Sequence, residues 1–155
     1  MTAPKTDALA MAAQMAKARR DAVAQQLAVA RQAWVAAQLQ LDQLEGYAQE
    51  TTARWGASEA RHAPEIMRHH YQFMDRLHHT IRMQTGILEQ HAQAVSRISA
   101  KVREAEQKLE ALRQVITSRD AKARQDEQRR EQKAADELAA QVHRRGPGRA
   151  SWEGR

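Results

Sequence analysis

The chain has 155 residues and a net charge of +6, with no Cys and only three Trp, two Tyr and one Phe. The lack of Cys excludes a disulfide framework and thiolate metal sites, and it is typical of proteins of the reducing cytoplasm. Few Gly and Pro and many Ala, Gln, Arg, Glu and Leu are typical of long helices and coiled coils rather than of a compact globular core. No apolar run approaches the roughly 18 residues that a membrane-spanning helix needs, and no signal peptide is expected.

The first predicted helix covers about residues 5–55. Pro4 and Asp7 are suited to its first turn, and Gly56 is suited to the left-handed turn that follows a helix end. Its seam is weak, because Ala fills many positions and Arg20 interrupts it, while Trp34 and Trp55 supply bulk. The seam has two series, each repeating every seven residues: Leu9, Ala16, Val23, Ala30, Ala37 and Leu44, and Ala13, Arg20, Leu27, Trp34, Leu41, Ala48 and Trp55.

The second predicted helix covers about residues 65–143, after a turn over 56–64, and Pro64 is suited to its first turn. Its first series is strict and contains Met67, Met74, Ile81, Leu88, Val95, Val102, Leu109 and Ile116. Its companion series contains His70, Leu77, Gln84, His91, Ile98, Ala105 and Leu112. Apolar residues sustained at these heptad positions predict a coiled-coil strand, and the polar members are expected to fix register and partner orientation.

Both seams are about 70 Å long at 1.5 Å per residue, and the turn is short enough to fold the chain back on itself. We therefore predict an all-α fold, with two long helices in an antiparallel coiled-coil hairpin that forms a single elongated domain over 1–155. Beyond about 117 the second helix has no seam and should project unpaired, and 144–155 should be a flexible basic tail. The predicted core consists of Val23, Leu27, Trp34, Leu41, Leu44, Trp55, Met67, Met74, Leu77, Ile81, Leu88, Val95, Ile98, Val102, Leu109, Leu112 and Ile116.

The charged residues do not indicate a nucleic-acid surface. Acids and bases alternate at helical spacing, as in Glu104 with Lys108 and Asp126 with Arg130, which is typical of solvated helix faces. A phosphate-binding surface would instead cluster its basic residues on one side. We expect no nucleic-acid partner, although the basic residues from Arg144 to Arg155 keep that alternative open.

Catalytic and metal-binding patterns are also missing from the sequence. No two of the seven His are four residues apart, and the nearest pairs are Glu65 with His69 and Asp75 with His79. The sequence has no glycine-rich phosphate loop and no nucleophile elbow, and a two-helix hairpin has no dry cleft. We expect no enzyme activity, metal, cofactor or small-molecule substrate.

Phe73 lies beside the seam rather than in it, on a stripe with Leu77, Thr80 and Gln84 at spacings of four, seven and eleven. An off-seam aromatic residue on a polar helix is a candidate for contact with another protein. Equally, Phe73 could fold over Trp55 at the closed end of the hairpin.

Two segments resemble the flagellar export family FliJ. Residues 71–77, followed by Ile81 and Leu88, are similar to the start of that family's second helix, and 38–50 are similar to the end of its first. The resemblance implies an antiparallel coiled coil like the stalk of a rotary ATPase. It also implies association with the hexameric flagellar export ATPase and with the membrane export gate protein, so that ATP hydrolysis and substrate delivery are promoted. The contact with the gate is ascribed by resemblance to Phe73, Leu77, Thr80 and Gln84, although Thr80 and Gln84 depart from the commoner small and basic choices.

The location implied is cytoplasmic, with peripheral association at the inner-membrane export apparatus. Three alternatives remain open. The first is an export chaperone or escort for late flagellar substrates, with export chaperones among its partners. The second is a generic coiled-coil scaffold whose strict seam pairs between chains. The third is the basic nucleic-acid binder described above.

Overall fold

The computed structural model describes residues 4–58 and 62–150, and it describes the side chains of 5–58 and 62–146. Helix α1 covers Pro4–Ser58 and helix α2 covers Pro64–Ala150. The predicted all-α fold of two long helices, the second one longer, is confirmed. Neither helix has a stretch long and apolar enough to cross a membrane over the ranges described.

The helix ends depend on local hydrogen bonds and on Pro. Helix α2 begins at Pro64, and the Met67 amide donates to the Ala63 carbonyl at 3.1 Å. The predicted end of the first helix at Gly56 is wrong, because α1 continues to Ser58 and no described Gly has a positive φ. The Ser58 hydroxyl donates to the Arg54 carbonyl at 3.0 Å, a hydrogen bond back to the preceding turn of the same helix.

At its other end, α2 continues to Ala150, past the predicted end at 143. Arg144 and Arg145, the residues directly after that predicted end, are good helix formers. The remainder of the predicted tail, 151–155, lies outside the described residues.

The chain divides into two units, the first made of Met1–Gln14 with Glu110–Arg155 and the second made of Met15–Leu109. The single elongated domain over 1–155 stays a prediction. In the second unit, α1 and α2 pair in antiparallel fashion, because contacts advance along α1 as they retreat along α2: Gln84 bonds to Ala37, Phe73 contacts Tyr47, and His70 contacts Trp55.

The core of the second unit is a narrow stripe of small and aliphatic residues. Its buried members are Ala16, Val23, Leu27, Ala37, Leu41, Ala48, Met74, Leu77, Ala105 and Leu109. Other predicted core residues are half-buried, because two helices bury only the stripe that each turns toward the other. These are Leu44, Trp55, Met67, Ile81, Leu88, Val95, Ile98 and Val102. Trp34 differs from the predicted pattern, because it is 37% exposed.

In the first unit, Leu9 and Ala13 of α1 and Leu112 and Ile116 of α2 are half-buried. From Thr117 to Gly146 every side chain of α2 is exposed. The expected ion pairs Glu104–Lys108 and Asp126–Arg130 do not form, since over the described ranges the salt bridges within 4.0 Å are Arg20–Asp21 and Arg54–Glu50.

Candidate partner-binding site

One flank of the α1–α2 pair in the second unit carries exposed side chains, most of them apolar or aromatic. On α2 these residues directly precede members of the strict seam at intervals of seven, namely Ile66, Phe73, Thr80 and Ile87. On α1, Gln40 and Tyr47 have the corresponding heptad position, which faces its equivalent across an antiparallel pair. We call these six residues the Phe73 flank. All six are exposed to solvent.

Phe73 contacts Tyr47 in this flank. The ring centroids are 6.1 Å apart and the planes meet at 88°, the edge-to-face geometry that aromatic pairs prefer. Phe73 remains 37% exposed and Tyr47 50% exposed, so the pair is a contact between the helices and also a surface. The alternative expectation, that Phe73 folds over Trp55, is not observed, because the aromatic ring beside Phe73 is that of Tyr47.

Leu77 belongs to the core rather than to the surface. It is buried with Ala48 and Met74, and Leu44 and Ile81 pack against these three. A partner protein can therefore reach only a small fraction of the Leu77 side chain.

Thr80 and Gln84 also separate from one another. Thr80 is exposed, and its hydroxyl donates to the Arg76 carbonyl of its own helix at 3.0 Å. Gln84 is half-buried, and its side-chain amide donates across the pair to the Ala37 carbonyl and to Gln40 Oε1, both at 3.1 Å. The predicted stripe thus divides into Phe73 and Thr80, which face solvent, and Leu77 and Gln84, which bind α1.

A shallow groove continues the flank beyond the aromatic pair. Leu44 forms its apolar part, and Tyr47 and three glutamines, Gln40, Gln43 and Gln84, form the rest. Sequence reasoning omitted Tyr47 from the site. The signal was available, because Tyr47 has the same heptad position on α1 that Phe73 has on α2.

At one end of the second unit, the Trp55 indole is stacked between two imidazoles. Its centroid lies 4.1 Å from that of His62 and 3.9 Å from that of His70, with the planes within 5° and 3° of parallel. The Ser58 hydroxyl is hydrogen-bonded to His62 Nε2 at 3.0 Å, whereas the buried Trp55 Nε1 has no partner. This stack joins α1, the connecting segment and α2. Over the described residues, no three His, Asp or Glu side chains group in a way that could hold a metal ion.

These features define a class of protein, the helical coiled coil whose paired helices leave side chains exposed on both flanks. The chain matches the family model described as FliJ, flagellar FliJ protein, over residues 5–148, and it belongs to this family. The predicted resemblance is thereby confirmed, and the protein is a component of flagellar protein export. No curated protein matches the chain, and neither does any solved structure.

Proposed function

We propose that this chain is a non-enzymatic component of the flagellar export apparatus that binds the hexameric export ATPase and the membrane export gate. It promotes ATP hydrolysis and substrate delivery, and it acts in the cytoplasm at the inner membrane. The observation that carries the proposal is the segment from Thr117 to Gly146, in which every side chain is exposed in a continuous helix. Leu138 and Val142 are the only large apolar residues of this segment, and a helix so polar around its circumference gains little from its own fold, so a partner is the natural place for its contacts.

The exposed segment suits a ring ATPase by its charge pattern. Basic residues such as Lys122 and Arg130 alternate with acidic residues such as Asp126 and Glu131 around the whole helix. The subunits of a ring present identical surfaces to a helix at its centre. Because each side of this helix carries charges of both signs, each side can form ion pairs with one of those surfaces.

Stimulation follows if binding is selective for one state of the ring. A single asymmetric helix pair inside a six-fold ring contacts only some subunits at a time. If it binds the assembled or catalytically competent state more tightly, it shifts the equilibrium toward that state in proportion to the difference in affinity.

Contact with the export gate is assigned to the Phe73 flank. Phe73 and Tyr47 offer a half-exposed aromatic surface and Thr80 a small polar one, which suits a moderate-sized protein contact. Leu77 and Gln84 support this surface from beneath, by packing on α1 and by hydrogen bonds to it.

The test measures hydrolysis by the matching export ATPase over a range of molar ratios, together with binding of the cytoplasmic part of the gate protein. Replacing Lys122, Arg124, Arg129, Arg130 and Lys133 by Glu should abolish stimulation and leave gate binding intact. The matched variant Phe73→Ser should do the reverse. Unchanged turnover with the unaltered chain at every ratio, with both proteins folded, would contradict the ATPase role.

A further inference from the structure

The flank of the second unit opposite Phe73 contains an apolar groove that the proposed function does not use. It is lined by Arg31, Trp34 and Val35 of α1 and by Ala92 and Val95 of α2. We call it the Trp34 groove. Ala92 directly follows a seam residue, whereas Phe73 directly precedes one, so the two lie on different sides of the helix pair.

The groove exists because Trp34 does not fit the seam. Leu27 and Leu41, one heptad before and after it, are 8% and 7% exposed, whereas Trp34 is 37% exposed. Ala37 beside it is buried, which indicates that the two helices approach closely here. The indole therefore turns toward the flank and forms one wall of a groove that Val95 and Ala92 complete.

The α1 side of the groove is exposed and almost without charge, whereas α2 carries Glu89 one turn before Ala92. Val35 and Leu39 are each 57% exposed. From Ala22 to Leu41 the only charged residue is Arg31, and it forms no ion pair among the described residues. A helix that is apolar on the face opposite its seam is normally covered by another element.

We propose that the Trp34 groove binds an amphipathic helix of another protein, with apolar side chains against Trp34 and Val95 and a carboxylate against Arg31. Because the Ala92 side chain is small, a third helix can approach closely at this position. It can then lie along the groove, in contact with both α1 and α2. The unpaired guanidinium of Arg31 selects an acidic partner, because a carboxylate can accept two parallel hydrogen bonds from it.

The charge of the chain favours this occupant over a second copy. Two chains with a net charge of +6 repel each other, whereas a helix with acidic flanks is attracted to Arg31 and by the net positive charge of the chain. This inference is independent of the proposed roles toward the ATPase and the gate.

The test uses the full chain labelled with ¹⁵N and a designed amphipathic peptide with Leu on its seam and Glu on its flanks. The indole N–H signals of Trp34, Trp55 and Trp152 are assigned by Trp→Phe replacements. We expect the Trp34 signal to shift and saturate on titration, while the Trp55 signal stays in place. The same peptide with Lys in place of Glu should bind at least several-fold more weakly.

Two matched variants distinguish binding in the groove from nonspecific binding to other exposed apolar residues of α1. Val35→Asp should abolish the Trp34 shift, and Val29→Asp should leave it intact, since Val29 is equally exposed but does not line the groove. Arg31→Gln should weaken binding of the Glu peptide about two- to fivefold, the range of an exposed ion pair. Both valines are exposed, so the fold should survive, and this is checked by circular dichroism.

Several results would overturn the proposal. One is a Trp34 signal that does not shift when the Glu peptide is added, and another is equal binding of the Glu and Lys peptides. A third is equal loss of binding in both Val→Asp variants. A Trp34 shift that appears when the protein alone is concentrated would assign the groove to a second copy of the chain and would equally refute an acidic partner helix.

Discussion

Replacing Leu77 by Ala should destabilise the paired helices rather than remove a surface contact. Leu77 is only 8% exposed and packs with Ala48 and Met74. The lost isopropyl group corresponds to about 2 to 2.5 kcal/mol at about 0.8 kcal/mol per buried methylene. Because the core lies between only two helices, water can enter the space that the truncated side chain leaves. We therefore expect the free energy of unfolding to fall by about 2–3 kcal/mol, the low end of the range for Leu→Ala in cores.

The assay is unfolding by urea, followed by circular dichroism at equilibrium. Thr80→Ala is the matched control, because Thr80 is exposed and bonds only to its own helix, and its effect should stay within about 0.5 kcal/mol. If Leu77→Ala changed the free energy of unfolding no more than Thr80→Ala did, the assignment of Leu77 to the core would be refuted. In that case, loss of gate binding by Leu77→Ala would be evidence of a direct contact between Leu77 and the gate protein.

Four further substitutions test the helix pair of the second unit by the same unfolding measurement. Gln84→Ala should cost about 1–2 kcal/mol, because two hydrogen bonds across the pair are lost; Thr85→Ala, whose hydroxyl bonds only to its own helix, is the control, and equal effects would contradict the reasoning. Gly46→Ala and Gly86→Ala should each raise the free energy of unfolding by about 0.5–1 kcal/mol, since a new Cβ meets nothing within 4 Å and φ is negative; a loss of stability would show a hidden clash. Ala48→Leu should cost about 1–3 kcal/mol through overpacking against the core, and a gain would mean that the pair can open at no cost.

The strict heptad series of α2 was sufficient to predict a long helix packed on another helix. Leu109 and Met74 are buried, and the remaining members of the series are half-buried. Periodicity works here because position in a heptad determines which direction a side chain faces, and that direction survives any change of partner.

Trp34 and Gly56 show where such reasoning stops. Trp34 has a seam position, but the room at that position depends on how closely small residues on both helices let the backbones approach. Gly56 has the residue type of a helix end, but α1 continues through it to Ser58, whose hydroxyl donates back to the Arg54 carbonyl. Both outcomes depend on atoms that are near in space and are not encoded by one residue's type.

The candidate site was predicted as a stripe on a single helix, and this explains why only half of its residues face solvent. A stripe at spacings of four, seven and eleven crosses gradually from flank to seam. Phe73 and Thr80 therefore lie on the outer edge, whereas Leu77 and Gln84 reach α1. The heptad position of Tyr47 places it on the same flank as Phe73, whereas its distance from Phe73 also depends on the register between the helices.

The segment from Thr117 to Gly146 has neither packed side chains nor ion pairs among the described residues of the first unit. Its helix therefore depends on backbone hydrogen bonds and on intrinsic propensity, and its amides should exchange with deuterium far faster than those near Val23 or Leu109. A partner that covers this segment would slow the exchange of its amides, and the change would be large because these amides exchange fast in the free protein. Among the described residues, this weakly protected segment is thus the part where deuterium uptake would map a bound protein with the greatest contrast.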